Sequence, residues 1–190
     1  YEDLSKEDSD KFEYVPNFSF SNIINDNSSF DSLGYYKNYN TNIKEKVLIN
    51  KFNFQSIPKY FNNGIVNKKK FLLKNVNSKG ENSENFESDI SNTFLPTIQS
   101  TYTFPLVKET EKFDNTLTPK LSFKLSPDFT RDIRNRNEGR LDYFNIYDID
   151  RLGIDVANEG GISATYGYEY TKLDKSIFAQ KLKFGFANNL

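Results

Sequence analysis

Apolar and polar residues alternate along most of this chain. In the stretch before a long central insertion, the apolar side of the alternation consists of Leu117, Pro119, Leu121, Phe123 and Leu125. After the insertion the same period of two returns, and one side of it consists of Ile162, Ala164, Tyr166, Tyr168 and Tyr170. Successive side chains of a β-strand point to opposite faces of a sheet, so this period predicts strands with two unlike faces.

The alternation predicts eight strands and no helix longer than one turn. The strands are expected at about residues 12–21, 30–39, 43–54, 69–79, 91–107, 117–125, 162–171 and 178–186. Pro16 lies inside the first strand, where a residue without an N–H group predicts a bulge or a position without a ladder hydrogen bond. In the third strand the apolar residues change from odd to even positions, which suggests another bulge. Tyr1–Leu4 suggest the end of an earlier strand.

The connections between the predicted strands differ greatly in length. The longest is Ser126–Gly160, while residues 108–115 and 172–175 are expected to form short turns. Within the long connection, Asn145–Gly153 is expected to form a short helical turn with Asp148, Asp150 and Arg151 as its polar residues. The apolar residues that are spaced to pack on one side of this turn are Ile146, Ile149 and Leu152.

Strand length and aromatic content favour a membrane barrel over a soluble β-sandwich. Alternation by itself fits both, because each has one apolar and one polar face. The predicted strands have about ten residues or more, which is the length that a tilted barrel strand needs to cross a bilayer. Tyrosines also lie near the strand ends, where barrels carry aromatic girdles. We therefore expect an all-β fold, an antiparallel transmembrane β-barrel, with a soluble β-sandwich binding module as the alternative.

Composition narrows the functional classes. The sequence has His 0 and Cys 0, which excludes histidine and cysteine metal sites, cysteine nucleophiles and serine–histidine triads within this chain. The net charge of -1 argues against a nucleic-acid partner, which would favour a basic surface. The aspartates between residues 142 and 155 lack the spacing of an EF-hand calcium loop. We expect no catalytic site, no cofactor, no metal site and no nucleic-acid partner.

Three pieces of the chain carry a family resemblance. They are Thr118–Phe123, Asn145–Gly153 and Glu159–Tyr170, and in this order and spacing they resemble the barrel domain of the bacterial LPS-assembly protein LptD family. In that family a leucine-x-proline strand precedes a long loop with an asparagine-arginine-apolar run, and a glycine-punctuated strand follows. Asp150 stands where the family usually has asparagine. The matching residues are Pro119, Asn145, Arg151, Leu152, Gly153, Asp155, Glu159 and Gly160.

The resemblance implies a fold and a function for the whole protein. It implies a barrel of more than twenty strands, of which this chain supplies about eight, so that residues 1–190 are part of a C-terminal outer-membrane β-barrel domain with both ends truncated. The chain begins at Tyr1 and has Met 0, which also suggests a fragment. The implied function is insertion of lipopolysaccharide (LPS) into the outer leaflet of the outer membrane of a Gram-negative bacterium, a step of cell-envelope biogenesis in which no bond is made or broken.

The resemblance also implies partners. These are LPS, the surrounding outer-membrane lipids, a plug lipoprotein of the LptE type inside the barrel, and periplasmic LPS-bridge proteins that bind through an N-terminal domain outside this chain. A porin or another outer-membrane transporter would share the strands and the aromatic girdle, but it would not carry the residues that match the family at this spacing. A soluble sandwich would instead bury the phenylalanine-rich face.

Basic side chains offer a further hypothesis about the inside of such a barrel. On the predicted polar faces, the lysines that would point into the lumen are Lys120, Lys124, Lys181 and Lys183. They would either form a cationic lining for an anionic substrate, such as the phosphorylated head of LPS, or belong to an ordinary water-filled lumen. The segment Asp128–Arg140 mixes arginines with acidic residues, which is typical of a solvated outer loop.

Overall fold

The computed structural model describes residues 12–25, 27–39, 42–127, 141–142, 145–177 and 179–190. This part of the chain is all-β. Its strands are β1 (Phe12–Asn25), β2 (Ser28–Tyr39), β3 (Ile43–Gln55), β4 (Lys59–Tyr60), β5 (Val66–Glu81), β6 (Ser91–Thr103), β7 (Leu106–Glu109), β8 (Phe113–Ser126), β9 (Gly161–Asp174) and β10 (Ala179–Asn189). Within the described residues, no helix is long and apolar enough to cross a membrane.

The strands form one antiparallel sheet that is not closed. The long strands follow the order β1-β2-β3-β5-β6-β8-β9-β10, while the short strand β4 pairs with β5 and β7 pairs with β8. The chain divides into two compact units. The first contains the described residues up to Phe54 together with Leu72–Pro96, and the second contains Gln55–Phe71 together with Thr97–Leu190.

All eight long strands that the alternation predicts are present. The bulge at Pro16 is confirmed, because the pairing of β1 with β2 shifts register between Pro16 and Phe18. The bulge expected in the third strand is not seen in its pairing with β2, which runs without a shift from Ser28 opposite Phe54 to Tyr39 opposite Ile43. Strand β3 therefore carries apolar residues on both faces. The suggested strand end at Tyr1–Leu4 and the mixed-charge segment at residues 128–140 lie outside the described residues.

Three predicted boundaries are wrong by several residues. The strand expected to reach residue 107 is divided into β6 and β7 around Pro105, which has no N–H group to continue the ladder. The following turn spans only residues 110–112, because the Thr110 hydroxyl accepts a hydrogen bond from the Phe113 N–H at 3.0 Å and β8 begins there. Strand β9 continues to Asp174, whose carboxylate accepts a hydrogen bond from the Ser176 N–H at 2.9 Å. Asp174 thus begins an Asx turn, and residues 175–177 lie in the turn that follows it.

The first unit buries a mixture of apolar and charged side chains. Its buried apolar residues are Val47, Ile49, Leu72, Val76, Phe86 and Leu95. Glu45 lies on the same face of β3 as Val47 and is also buried. It accepts hydrogen bonds from the Ser83 hydroxyl at 2.7 Å and from the Asn85 side-chain amide at 3.0 Å, and it thereby holds the β5–β6 connection against the strands.

The second unit buries the polar face of its sheet. On β8, Ser122 is 2% exposed and Lys124 is 6% exposed, whereas Phe123 between them is 47% exposed. The same inversion holds in β9, where Thr165 is buried and Tyr166 and Tyr168 are exposed. We call the side with Ser122, Lys124 and Thr165 the covered face and the opposite side the open face. The predicted alternation is confirmed, and the polar set is the one that the protein covers.

Candidate functional site

The β8–β9 connection, residues 127–160, packs on the covered face. Its described part folds as separate hydrogen-bonded turns: the Ile146 N–H donates to Asp142 O at 3.1 Å, and the Asp148 N–H donates to Asn145 O at 2.8 Å. A further turn closes from the Gly153 N–H to Asp150 O at 3.1 Å, and Gly153 has a φ of 62°. Glycine adopts this left-handed backbone without steric cost. The predicted helical segment is therefore a chain of turns.

The side chains that dock this connection differ from the predicted ones. Ile146, Ile149 and Leu152 are only half-buried. The buried residues are instead Arg151, Ile154, Val156 and Ala157. The physical reason lies in the surface beneath, because serine, threonine and asparagine oxygens on the strands accept hydrogen bonds from a guanidinium group but offer little to an apolar triplet.

Arg151 is the centre of the site and is only 3% exposed. Its Nε and Nη2 donate to the two carboxylate oxygens of Glu159, which makes a bidentate ion pair. Nη1 donates to Asn189 Oδ1 on β10 at 2.6 Å and lies 3.4 Å from Thr165 Oγ1 on β9. Nη2 also lies 3.4 Å from Ser163 Oγ. Arginine suits this position because its planar group donates several hydrogen bonds in fixed directions.

Glu159 also binds Lys124 of β8. Lys124 Nζ donates to Glu159 Oε2 at 2.6 Å, so one carboxylate lies between two buried cations. Burial acts to raise the pKa of the Glu159 carboxyl, but the hydrogen bonds from Arg151 and Lys124 outweigh it and hold the pKa below its ordinary value. The carboxylate is therefore ionised at neutral pH, and it attracts the cations on both sides of it.

Neutral hydrogen bonds extend the contact along the covered face. Asn158 donates through its side-chain amide to Thr97 Oγ1 at 2.7 Å, and Gln99 Nε2 donates to the carbonyl oxygen of Tyr147 at 3.0 Å. The Tyr147 ring lies 5.7 Å from Lys120 Nζ, and burial raises the pKa of its hydroxyl. That hydroxyl occupies the space that a side chain at Gly167 would need. Gly167 thus gives the connection room to approach β9.

Each of the four lysines that the sequence predicted as a possible cationic lining lies close to a carboxylate. Lys124 is bound to Glu159, as described. Lys120 and Lys183 lie 3.5 Å and 3.4 Å from the same Glu169 oxygen, and Lys181 lies 3.8 Å from Asp174. Each of the four lysines therefore has a carboxylate oxygen within 4 Å, and Lys120 and Lys183 share the same one.

The residues that carry the family resemblance are only partly brought together. Arg151 and Glu159 form the central ion pair, and Leu152, Gly153, Asp155 and Gly160 belong to the same connection. Asn145 pairs with Asp142, since each backbone N–H donates to the other residue's side chain at 2.9 Å and 3.1 Å. Pro119 lies on the open face, opposite Tyr168 in the register, and is separate from the site.

Sequence reasoning missed several partners of Arg151. Thr165 lies on the polar side of the alternation in its strand, which is the signal that could have suggested it. Asn189 lies beyond the last predicted strand, and nothing in the local pattern marks it. Among the described residues, no group of three or more acidic side chains is placed to hold a metal ion.

The sequence was compared with protein-family models and with curated proteins. No protein-family model matches the chain, and no curated protein matches its sequence.

Replacing Glu159 should destabilise the folded protein. Glu159→Gln leaves Arg151 and Lys124 as neighbouring buried cations, so the free energy of unfolding should fall by roughly 2 to 3 kcal/mol. The measurement is urea unfolding of the full-length protein in detergent. Glu109→Gln is the matched control, because this carboxylate is exposed and lies 3.8 Å from Lys175. The control should change stability by less than about 0.5 kcal/mol, and an equally small effect of Glu159→Gln would contradict the role of the ion pair.

Acid should loosen the β8–β9 connection. A carboxyl group whose pKa is lowered by folding stabilises the folded state above its unfolded pKa, and this stabilisation is lost as the pH falls through the folded pKa. The chain has Cys 0, so a spin label on Asp148→Cys, an exposed position, reports on the connection. The label should be immobile at neutral pH and mobile in acid. In a Glu159→Gln background it should be mobile at both, and an unchanged acid transition there would assign the titration to another group.

Proposed function

We propose that this chain is part of a transmembrane β-barrel whose open face contacts lipid. The observation that carries the proposal is the inverted burial of the second unit, where the polar face is covered by the β8–β9 connection and the apolar face is not covered. A soluble sandwich packs the apolar faces of two sheets together. A membrane barrel turns its apolar face to lipid and its polar face inward.

The composition of the open face supports the same conclusion. Its exposed large apolar residues on β6, β8, β9 and β10 include Ile98, Leu121, Phe123, Leu125, Ile162, Tyr166, Tyr168, Leu182, Phe184 and Phe186. Aromatic rings pair across β9 and β10, with centroid distances of 5.1 Å between Tyr170 and Phe184 and 6.3 Å between Tyr168 and Phe186. A contiguous apolar surface of this kind is costly in water, and aromatic bands are typical of barrels at the membrane interface.

Within this class we propose LPS assembly, with no covalent chemistry, as the function of the whole protein. Support comes from the resemblance to the LptD family, and from the fact that two residues of that resemblance, Arg151 and Glu159, meet in one buried ion pair. The protein would insert LPS into the outer leaflet of a Gram-negative outer membrane. Its proposed partners are an LptE-type plug lipoprotein within the barrel and periplasmic LPS-bridge proteins.

The open face should lie against acyl chains. The chain has Trp 0, so Phe123→Trp introduces tryptophan fluorescence into it, which is measured against the parent protein. The matched control is Thr118→Trp, whose side chain lies on the covered face. The full-length variants are reconstituted into bilayers that contain lipids with brominated acyl chains. These lipids should quench the fluorescence of the Phe123→Trp variant and leave that of the Thr118→Trp variant unchanged. Equal quenching of both, or recovery of the protein in the soluble fraction without detergent, would reject the assignment of the faces to lipid and interior.

Loss of the protein should prevent newly made LPS from reaching the cell surface. In cells whose single copy of the gene is repressible, pulse-labelled LPS should accumulate in fractions other than the outer membrane, and antibody binding to LPS on intact cells should fall. A porin would instead leave surface LPS unchanged and lower the uptake of small solutes. Normal surface LPS after depletion therefore contradicts the proposed transport function, although it leaves the barrel intact as a hypothesis.

A further inference from the structure

The first unit contains a groove that is separate from the site around Arg151. Its volume is about 510 Å³, which lies within the range of small-molecule sites. The residues that define it are Gly34, Lys46, Leu48, Asn77, Lys79 and Ile90. It lies near the start of β3, which follows Asn42, and near the end of β5, which precedes the β5–β6 connection.

Cross-strand contacts place two lysines opposite each other in this groove. Lys44 forms an ion pair with Glu81 at 3.1 Å, and the Asn50 side-chain amide donates to Asn75 at 3.3 Å. Antiparallel strands with these two contacts in register bring Lys46 opposite Lys79. Like charges that face each other directly across a sheet destabilise it, so this pair favours an anion between the two ammonium groups.

Among the described residues, the Glu81 carboxylate acts on both lysines as well as on Lys44, so that three positive charges share one negative charge. The groove lining contains Lys46 and Lys79 and no carboxylate. Glu81, which ends the same face of β5, is already bound to Lys44. Lys46 lies 5.7 Å from the centroid of the Tyr36 ring, and within the described residues neither Lys46 nor Lys79 forms an ion pair. This contrasts with Lys120, Lys124, Lys181 and Lys183 of the second unit.

Apart from Asn77 and Ser78, the remainder of the groove is mostly apolar. Gly34 faces Leu48 in the β2–β3 register, and because glycine has no side chain it leaves a depression beside Leu48. Leu48 is exposed, and Ile90 at the rim is 81% exposed. A mostly apolar groove with two ammonium groups in its lining matches an amphiphile with a hydrocarbon chain and an anionic head.

We propose that this groove binds the phosphate group of an acylated lipid, with Lys46 and Lys79 on the phosphate and an acyl chain along Gly34, Leu48 and Ile90. Lysine binds phosphate as a compact point charge, and two lysines match a group that carries more than one negative charge. The assignment of a lipid as the source of the phosphate rests on the proposed function, which places an exposed sheet face of this protein in a membrane.

The test measures binding of a fluorescent phosphatidic acid to the full-length protein in an uncharged detergent. The double variant Lys46→Gln and Lys79→Gln should bind it roughly tenfold or more weakly, since each lysine near an anionic head contributes measurably. The matched control, Lys108→Gln with Lys112→Gln, removes the same charge from exposed positions and should bind within about twofold of the parent. Diacylglycerol, which has the same chains and no phosphate, should not compete.

Three outcomes would overturn the proposal. They are undiminished binding by the groove variant, an equal loss in the control variant, and displacement of the lipid by inorganic phosphate at the same concentration as by unlabelled phosphatidic acid. The last result would assign the groove to free phosphate. The binding assay is made in detergent and tests only the groove. The contact of the open face with lipid is tested separately, by quenching of Phe123→Trp in bilayers, so the two proposals can fail independently.

Discussion

A guanidinium group buried against a carboxylate fixes the arrangement of the second unit. Removing Arg151 from water is costly, and the cost is offset only because Glu159 neutralises it and side chains of β9 and β10 accept its remaining hydrogen bonds. The same carboxylate neutralises Lys124 on β8. This cluster therefore fastens the connection to the polar face of the sheet, and the connection leaves the apolar face uncovered.

The strands could be predicted from the sequence because a period of two depends only on neighbouring residues. The alternation also assigned Phe123 and Ser122 to opposite faces correctly, but periodicity does not state which face the chain covers. The β8–β9 connection shows the limit of local reasoning. A spacing of three suggested that Ile146 and Leu152 would dock, whereas the polar surface beneath selected Arg151. Likewise, the opposition of Lys46 and Lys79 depends on the register between two distant strands, which no local pattern contains.

Both units use a carboxylate to fasten a connection to the sheet. In the first unit Glu45 holds Ser83 and Asn85, and in the second Glu159 holds the turn that carries Arg151. Hydrogen bonds to a charged acceptor are stronger and more directional than apolar contacts, so they position a polar loop where a hydrophobic surface is absent. On the polar covered face of the second unit this attachment stands in place of apolar contacts with the sheet, whereas in the first unit the buried Phe86 of the β5–β6 connection adds an apolar anchor.

The partners of Arg151 also set an order of events during folding. The long strands pair with their neighbours along the sheet, so hairpins can be added one after another with little loop-closure cost. The β8–β9 connection differs, because the acceptors for Arg151 lie on β9 and β10 and its counter-ion also binds β8. Until all three strands are aligned, burying this arginine leaves hydrogen bonds unmade. We therefore expect the connection to close late, after the three strands around it have paired.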